Sequence, residues 1–296
     1  MVRLRFSIDL HYGVEAPGAD FILNIQAAHT RYQTVVSESL FVSQPVPLLM
    51  HTDPVTQGRT LRLSAAAGPL HLSYQAEVGL RHHVAAPGAV GEIPVAQLPP
   101  EVLTYLYPSR YCQSDRLGTL AMHEFGHLPH GYARVQAIRD WVHRNVTFKS
   151  ASSNSTTSAV DTLADRVGVC RDFAHLMIAL CRALNIPARF TTGIDYGADP
   201  ALGPPDFHAY VEVFLGRRWY LFDPSGTAIP MGFVRIGTGR DAADVSFATL
   251  FGTVATQPPV ISIEALLDPA CGWTLPVHCE DALSTDDGSC DAQPRL

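Results

Sequence analysis

The run from Phe207 to Asp223 constrains the fold more tightly than any other part of the chain. Phe207, Ala209, Val211, Val213 and Leu215 alternate with His208, Tyr210, Glu212 and Phe214. That period predicts a strand with one wholly apolar face and His208 on the other. Gly216-Arg217 follows, a two-residue turn with glycine in the first central position, which suits a type II′ hairpin. The return strand runs from Arg218 to Asp223. If Leu215 faces Arg218, Tyr210 faces Asp223, and His208 is the diagonal same-face neighbour of Asp223, about 7–8 Å away at the backbone. A slip of one residue would send Asp223 to the opposite face.

A second constraint is the segment CRDFAHLMIALCRALNIPAR, which starts at Cys170. Phe173, Met177, Leu180 and Leu184 recur at three- and four-residue spacing, predicting a helix with an apolar face. Gly168 marks a tight turn before it and Pro187 stops it. Cys170 therefore falls in the first turn. Unpaired backbone N–H groups and partial positive charge there favour a thiolate, the reactive form of cysteine. The Cys170 N–H can also help hold an oxyanion. A thiol at a helix start, a histidine on a strand and a carboxylate ending the next strand have the chemistry of a nucleophile, a general base and an orienting group. That set supports acyl transfer through a thioester.

The blocks GVCRDFAHLMIALCRALNIPAR, FHAYVEVFLGRRWYLFDPSG and TSAVDTLADR resemble the transglutaminase-like superfamily of cysteine enzymes, over roughly residues 115–255. The three blocks stand in family order, with Ala-Arg after the helix and Trp219 before the aspartate. The resemblance implies an α+β, papain-like core with Cys170 as nucleophile, His208 as base and Asp223 as orienter. It implies a cysteine-dependent peptidase or amidase that cleaves peptide or carboxamide bonds, or a transglutaminase, acting on a peptide or protein substrate without a cofactor. The third member is Asp, as in the transglutaminase branch, where papain-like enzymes often have Asn. No second oxyanion donor is identified. The superfamily also contains inactive members, so a noncatalytic peptide-binding scaffold of the same fold is the alternative reading.

His123-Glu124-Phe125-Gly126-His127 matches H-E-x-x-H. On a helix, that spacing would hold zinc between the two imidazoles and leave Glu124 as the base of a metalloprotease. Gly126 and Pro129 leave little room for such a helix, and no third ligand follows in a recognised context. No metal is expected here.

Composition bounds the remainder. The 296 residues allow two modest domains. Residues 1–85 alternate as strands separated by turn residues, as in Leu4, Phe6, Ile8 and Leu10, and predict an N-terminal β-sandwich domain. Residues 86–114 are rich in Pro and Gly and read as a linker, residues 115–255 as the cysteine-enzyme core and residues 256–296 as a C-terminal polar tail, loop-like or partly disordered from about Asp268. Helices are expected over about 131–146 and about 158–166. The net charge of −7 gives a nucleic-acid partner no support. No apolar run approaches the roughly 18 residues of a membrane helix. Six cysteines without CxxC spacing do not indicate structural zinc, and the expected location is the cytoplasm.

Overall fold

The computed structural model describes residues 1–198, 201 and 205–287; Cys290 lies outside them. The alternation near the start becomes a long strand, β1 (Val2–Val14), whose even-numbered residues are all buried. It is followed by β2 (Ala19–Leu23), β3 (Gln33–Val42), β4 (Leu49–Thr52), β5 (Arg59–Ala65), β6 (Gly68–Leu80) and β7 (His83–Ala85). β6 pairs antiparallel with both β1 and β3, while β5 lies between β2 and β4. The inward faces of these two sheets share one core, in which Phe6 and Phe21 pack with Leu61, Leu63 and Tyr74.

The second half begins with α1 (Gly118–Phe125), α2 (Tyr132–Asn145), β8 (Thr147–Phe148), α3 (Ala159–Asp165), β9 (Val167–Gly168) and α4 (Cys170–Ala183). A second core sheet then forms from β10 (Ala188–Asp195), β11 (His208–Leu215), β12 (Arg218–Phe222) and β13 (Phe233–Gly239), in the order β13-β10-β11-β12. Its β11–β12 hairpin pairs Leu215 with Arg218 and Val211 with Phe222, the register expected of a two-residue turn. Gly216 and Arg217 both have positive φ, 51° and 66°, so the turn is type I′ and not the expected type II′.

α4 packs against β10 and β11 on one side and α1, α2 and α3 on the other. It is therefore buried around its whole circumference from Asp172 to Arg182, more than a single apolar face implies. Ala174, Ile178 and Cys181, off the expected stripe, are fully buried. Arg182 is tolerated inside because its guanidinium donates to the carbonyls of Ala188, Tyr107 and Arg240. Each large apolar side chain buried there contributes about 1.5–3 kcal/mol, so the position of Cys170 is fixed by the best-packed part of the molecule. The Pro-rich stretch before α1 is also packed: Leu98, Val102 and Tyr105 cover Phe214 and Trp219 on the far face of the sheet.

The expectation of a loop-like tail from about Asp268 is corrected for Ala282–Ser284 and Asp286–Asp287, which form strands, and its part beyond residue 287 lies outside the described residues. The chain continues through β14 (Ala248–Phe251), β15 (Val254–Thr256), β16 (Val260–Ala265), β17 (Ala282–Ser284) and β18 (Asp286–Asp287). β15 and β16 pair with β1, β14 with β2, β17 with β7 and β18 with β12. Charge explains why a polar segment folds. Arg189 and Arg235 are buried on the far face of the core sheet, where Glu212 alone would leave them under-compensated. Asp286 supplies a second carboxylate to both.

Candidate active site

Cys170 is the first residue of α4, entered from the short parallel pair β8–β9. Two neighbours fix that entry. The buried Asp172 carboxylate accepts the Val169 N–H at 2.9 Å and the Ser153 hydroxyl at 2.9 Å, capping the helix and tying down the loop beside it. The Arg171 guanidinium donates to Ser153 and, at 2.7 Å, to the Asn154 carbonyl. Gly168 is required by close approach, since a Cβ there would stand 2.7 Å from the Cβ of Asp172. The sulfur lies 4.0 Å from the Phe207 carbonyl oxygen, at the head of β11.

His208 is the first residue of β11 and is buried. Its Nε2 stands 3.6 Å from Asp223 Oδ1, an ion-pair separation. The loop after β12 holds that carboxylate: Oδ1 accepts the Ser225 N–H at 2.9 Å and hydroxyl at 2.6 Å, and Oδ2 accepts the Thr227 N–H at 3.0 Å. Burial alone would push Asp223 up. Its close ion pair with His208, with the Ser225 and Gly226 donors, holds it below the usual carboxylate range.

A second carboxylate approaches the other nitrogen. Asp195 Oδ2 lies 3.4 Å from His208 Nδ1. Burial would push His208 down, but Asp195, the Cys170 sulfur and Asp223 outweigh it and hold the imidazole well above the usual histidine range. Asp195 itself is pushed up by burial and by the nearby Asp223, with His208 opposing. Cys170, His208 and Asp223, which the sequence reading grouped, thus converge, and Asp195 joins them.

Cys170, His208 and Asp195 open on a cleft of about 680 Å³. Phe148, Ser150 and Arg171 form one wall; Phe247, Ala248, Pro258 and Pro259, which lead into and out of the strands added to the N-terminal sheets, form another. Phe207 stacks on Phe247 within this lining, with ring centroids 4.5 Å apart.

Residues 123–224 match the core of the transglutaminase-like superfamily, and residues 2–101 match the bacterial transglutaminase N-terminal domain. A solved structure from Cytophaga hutchinsonii, described as a candidate cysteine protease, is 38% identical, with a TM-score of 0.88 over 96% of this chain and 97% of that one. The chain belongs to the transglutaminase-like superfamily. An uncharacterized protein of Mycobacterium leprae is 29% identical over 117 residues, covering 38% of this chain and 42% of that protein. One of Mycobacterium tuberculosis is 31% identical over 125 residues, covering 38% and 40%. The matched segment thus spans less than half the length of these curated relatives.

The H-E-x-x-H residues do not line the cleft. His123 is at the end of the short α1, mostly exposed and 3.0 Å from Glu124, while His127 is exposed beyond the helix end. The two imidazoles therefore do not share the face of one continuous helix. No cluster of three potential metal ligands occurs among the described residues. His175 is fully buried in α4, where it stacks on Tyr111 and accepts the Ala242 N–H, a packing role. Cys112 and Cys181 are buried, and burial pushes the Cys112 thiol up to about 12.

Asp195 escaped the sequence reading. The signal for it was the face it occupies: Gly193 pairs with His208 across β10 and β11, so Asp195, two residues on, shares the His208 face. That register depends on strands joined by a long connection, for which no turn rule gives a count. The β10–β13 pairing also slips at Thr192/Gly193, leaving Ile236 as an extra residue. Gly193 permits that approach, because a Cβ there would stand 2.0 Å from the Val234 carbonyl oxygen.

Proposed function

We propose that this chain is a cysteine-dependent acyl-transfer enzyme, a peptidase or amidase that opens peptide or carboxamide bonds through a thioester on Cys170. The observation that carries this reading is that Cys170 and His208 line one cleft, with the thiol at a helix N-terminus and Asp223 buried behind the ring at 3.6 Å from its Nε2.

In this reading the Cys170 thiol proton passes to His208, and the sulfur attacks the carbonyl carbon. The first-turn N–H of Cys170, which has no partner within the helix, faces the developing oxyanion. The C–N bond breaks as His208 returns the proton to the leaving nitrogen, leaving the acyl group on sulfur. Water then attacks the thioester with His208 accepting its proton, and the product acid leaves as the sulfur recovers a proton. An amine in place of water gives transamidation. Asp223 holds the ring throughout, fixed by its own loop.

The cleft, open and walled partly by apolar residues, fits an extended peptide or protein segment. The N-terminal unit, a β-sandwich in this reading, pairs with β14 and β16, the strands beside the lining residues Phe247, Ala248, Pro258 and Pro259. A cytoplasmic setting, where thiols stay free, belongs to the same proposal.

The test is a screen of peptides and glutamine-containing peptides, with cleavage and ammonia release read together, comparing wild type with Cys170→Ala. Turnover lost in the variant supports the reading. Turnover that survives it, or that a chelator abolishes, assigns the chemistry elsewhere.

A further inference from the structure

We propose that Asp195 is a positioning residue of this site: it holds the His208 ring from the Nδ1 side while Asp223 holds it from the Nε2 side, keeping a proton on the nitrogen that serves Cys170. The inference rests on the proposed thiol chemistry and adds a fourth member to it.

The geometry separates the two carboxylates by role. Asp223 accepts the Ser225 N–H and hydroxyl and the Thr227 N–H, so its charge is balanced by its own loop. Asp195 is 5% exposed, and among the described residues its Oδ2 has no hydrogen-bond partner. The contact at 3.4 Å with His208 Nδ1 is the ion pair open to that oxygen. A carboxylate so buried is costly without a counterion. Its charge and the charge on the ring therefore stand or fall together, and the pair titrates as a unit.

Among the described residues, few groups face the ring. Asp195 comes from β10, Cys170 from the first turn of α4 and Asp223 from the loop after β12. Tyr210, on the ring's own strand, lies edge-on with centroids 4.7 Å apart. Asp206, just before the strand, adds a more distant carboxyl that His208 itself influences. With Asp223 engaging Nε2, Nδ1 is left for the sulfur, and Asp195 lies on that side. An N–H held between the sulfur and a carboxylate points along the path to the leaving nitrogen. It is ready as the acid when the C–N bond breaks.

The experiment is iodoacetamide labelling of Cys170 across pH, mapped by mass spectrometry, in wild type, Asp195→Asn and Asp195→Glu. A thiolate paired with imidazolium labels on a lower plateau, and the rate climbs again when the imidazolium loses its proton. Removing the Asp195 charge should move that upper step down by about one pH unit or more, a tenfold change in the proton equilibrium. Asp195→Glu should return it toward wild type. A residue with only a structural role would change the amount of labelling and leave the step where it was. An unmoved step in folded Asp195→Asn overturns the proposal.

If the Asn variant fails to fold, carbon-13 NMR of the wild-type protein decides. The Asp195 carboxyl and the His208 ring should titrate in one shared range; independent titrations overturn the proposal. Failure of the underlying reading looks different, because labelling in wild type would then be unaffected by His208→Ala.

Discussion

His208 Nε2 lies 3.6 Å from Asp223 Oδ1, and that carboxylate accepts three further hydrogen bonds from Ser225 and Thr227. The ring is thereby referenced to a loop that cannot move without breaking its own bonds. Asp223→Asn removes the charge and reverses part of the donor pattern. Turnover should fall on the order of a hundredfold or more, with the fold retained on circular dichroism. A folded variant with wild-type turnover would remove Asp223 from the machinery.

The raised His208 gives stability a definite pH dependence. A group whose folded value lies above its unfolded value stabilises fully below the unfolded value, here about 6.5. The contribution is then lost as pH rises through the folded value, which Asp195, Cys170 and Asp223 together hold well above the ordinary one. The melting temperature of wild type should therefore exceed that of His208→Gln by more at pH 6 than at pH 9. An advantage that grows with pH would have the wrong sign.

Asp172 sets the entry of the cysteine helix by accepting from Val169 and Ser153. Asp172→Ala frees one buried donor at the helix start and releases the loop beside it. It should cost about 1–3 kcal/mol of stability in denaturant titration and slow Cys170 labelling. Unchanged stability would show that the cap is dispensable.

Asp286 joins two buried arginines of the core sheet. Asp286→Asn leaves Arg189 and Arg235 to Glu212 alone and should cost about 1–3 kcal/mol. The pH profile of Cys170 labelling should stay where it is, because the network lies at Glu212, four residues along β11 from His208. A shifted profile would couple the C-terminal strands to the site.

Local pattern carried much of this molecule. The helix stop at Pro187, the two-residue turn at Gly216-Arg217 and the alternation in β1 are all short-range signals, and each element formed where its signal stood. The hairpin register followed from the turn alone, and it aligned His208 with Asp223. What the sequence concealed was long-range. Asp195 reaches His208 only through a pairing across residues 196–207. Val260–Ala265 belongs to the N-terminal sheet only because β1 offers it an open edge. The polar Ser284–Asp286 stretch is ordered by arginines about 50 and 100 residues away in sequence, and polarity by itself read as a loop. Asp241 accepting the Tyr111 N–H and His175 stacked on Tyr111 are of the same kind, tertiary partners without a local signature.

The most direct test of the central claim is the pH dependence of iodoacetamide labelling at Cys170 in wild type and His208→Ala. The account predicts fast labelling below pH 7 in wild type and its collapse in the variant, the signature of a thiolate held by an imidazolium. Slow labelling in both proteins, with the ordinary rise near pH 8.5, would contradict it and leave the fold as a scaffold without thiol chemistry.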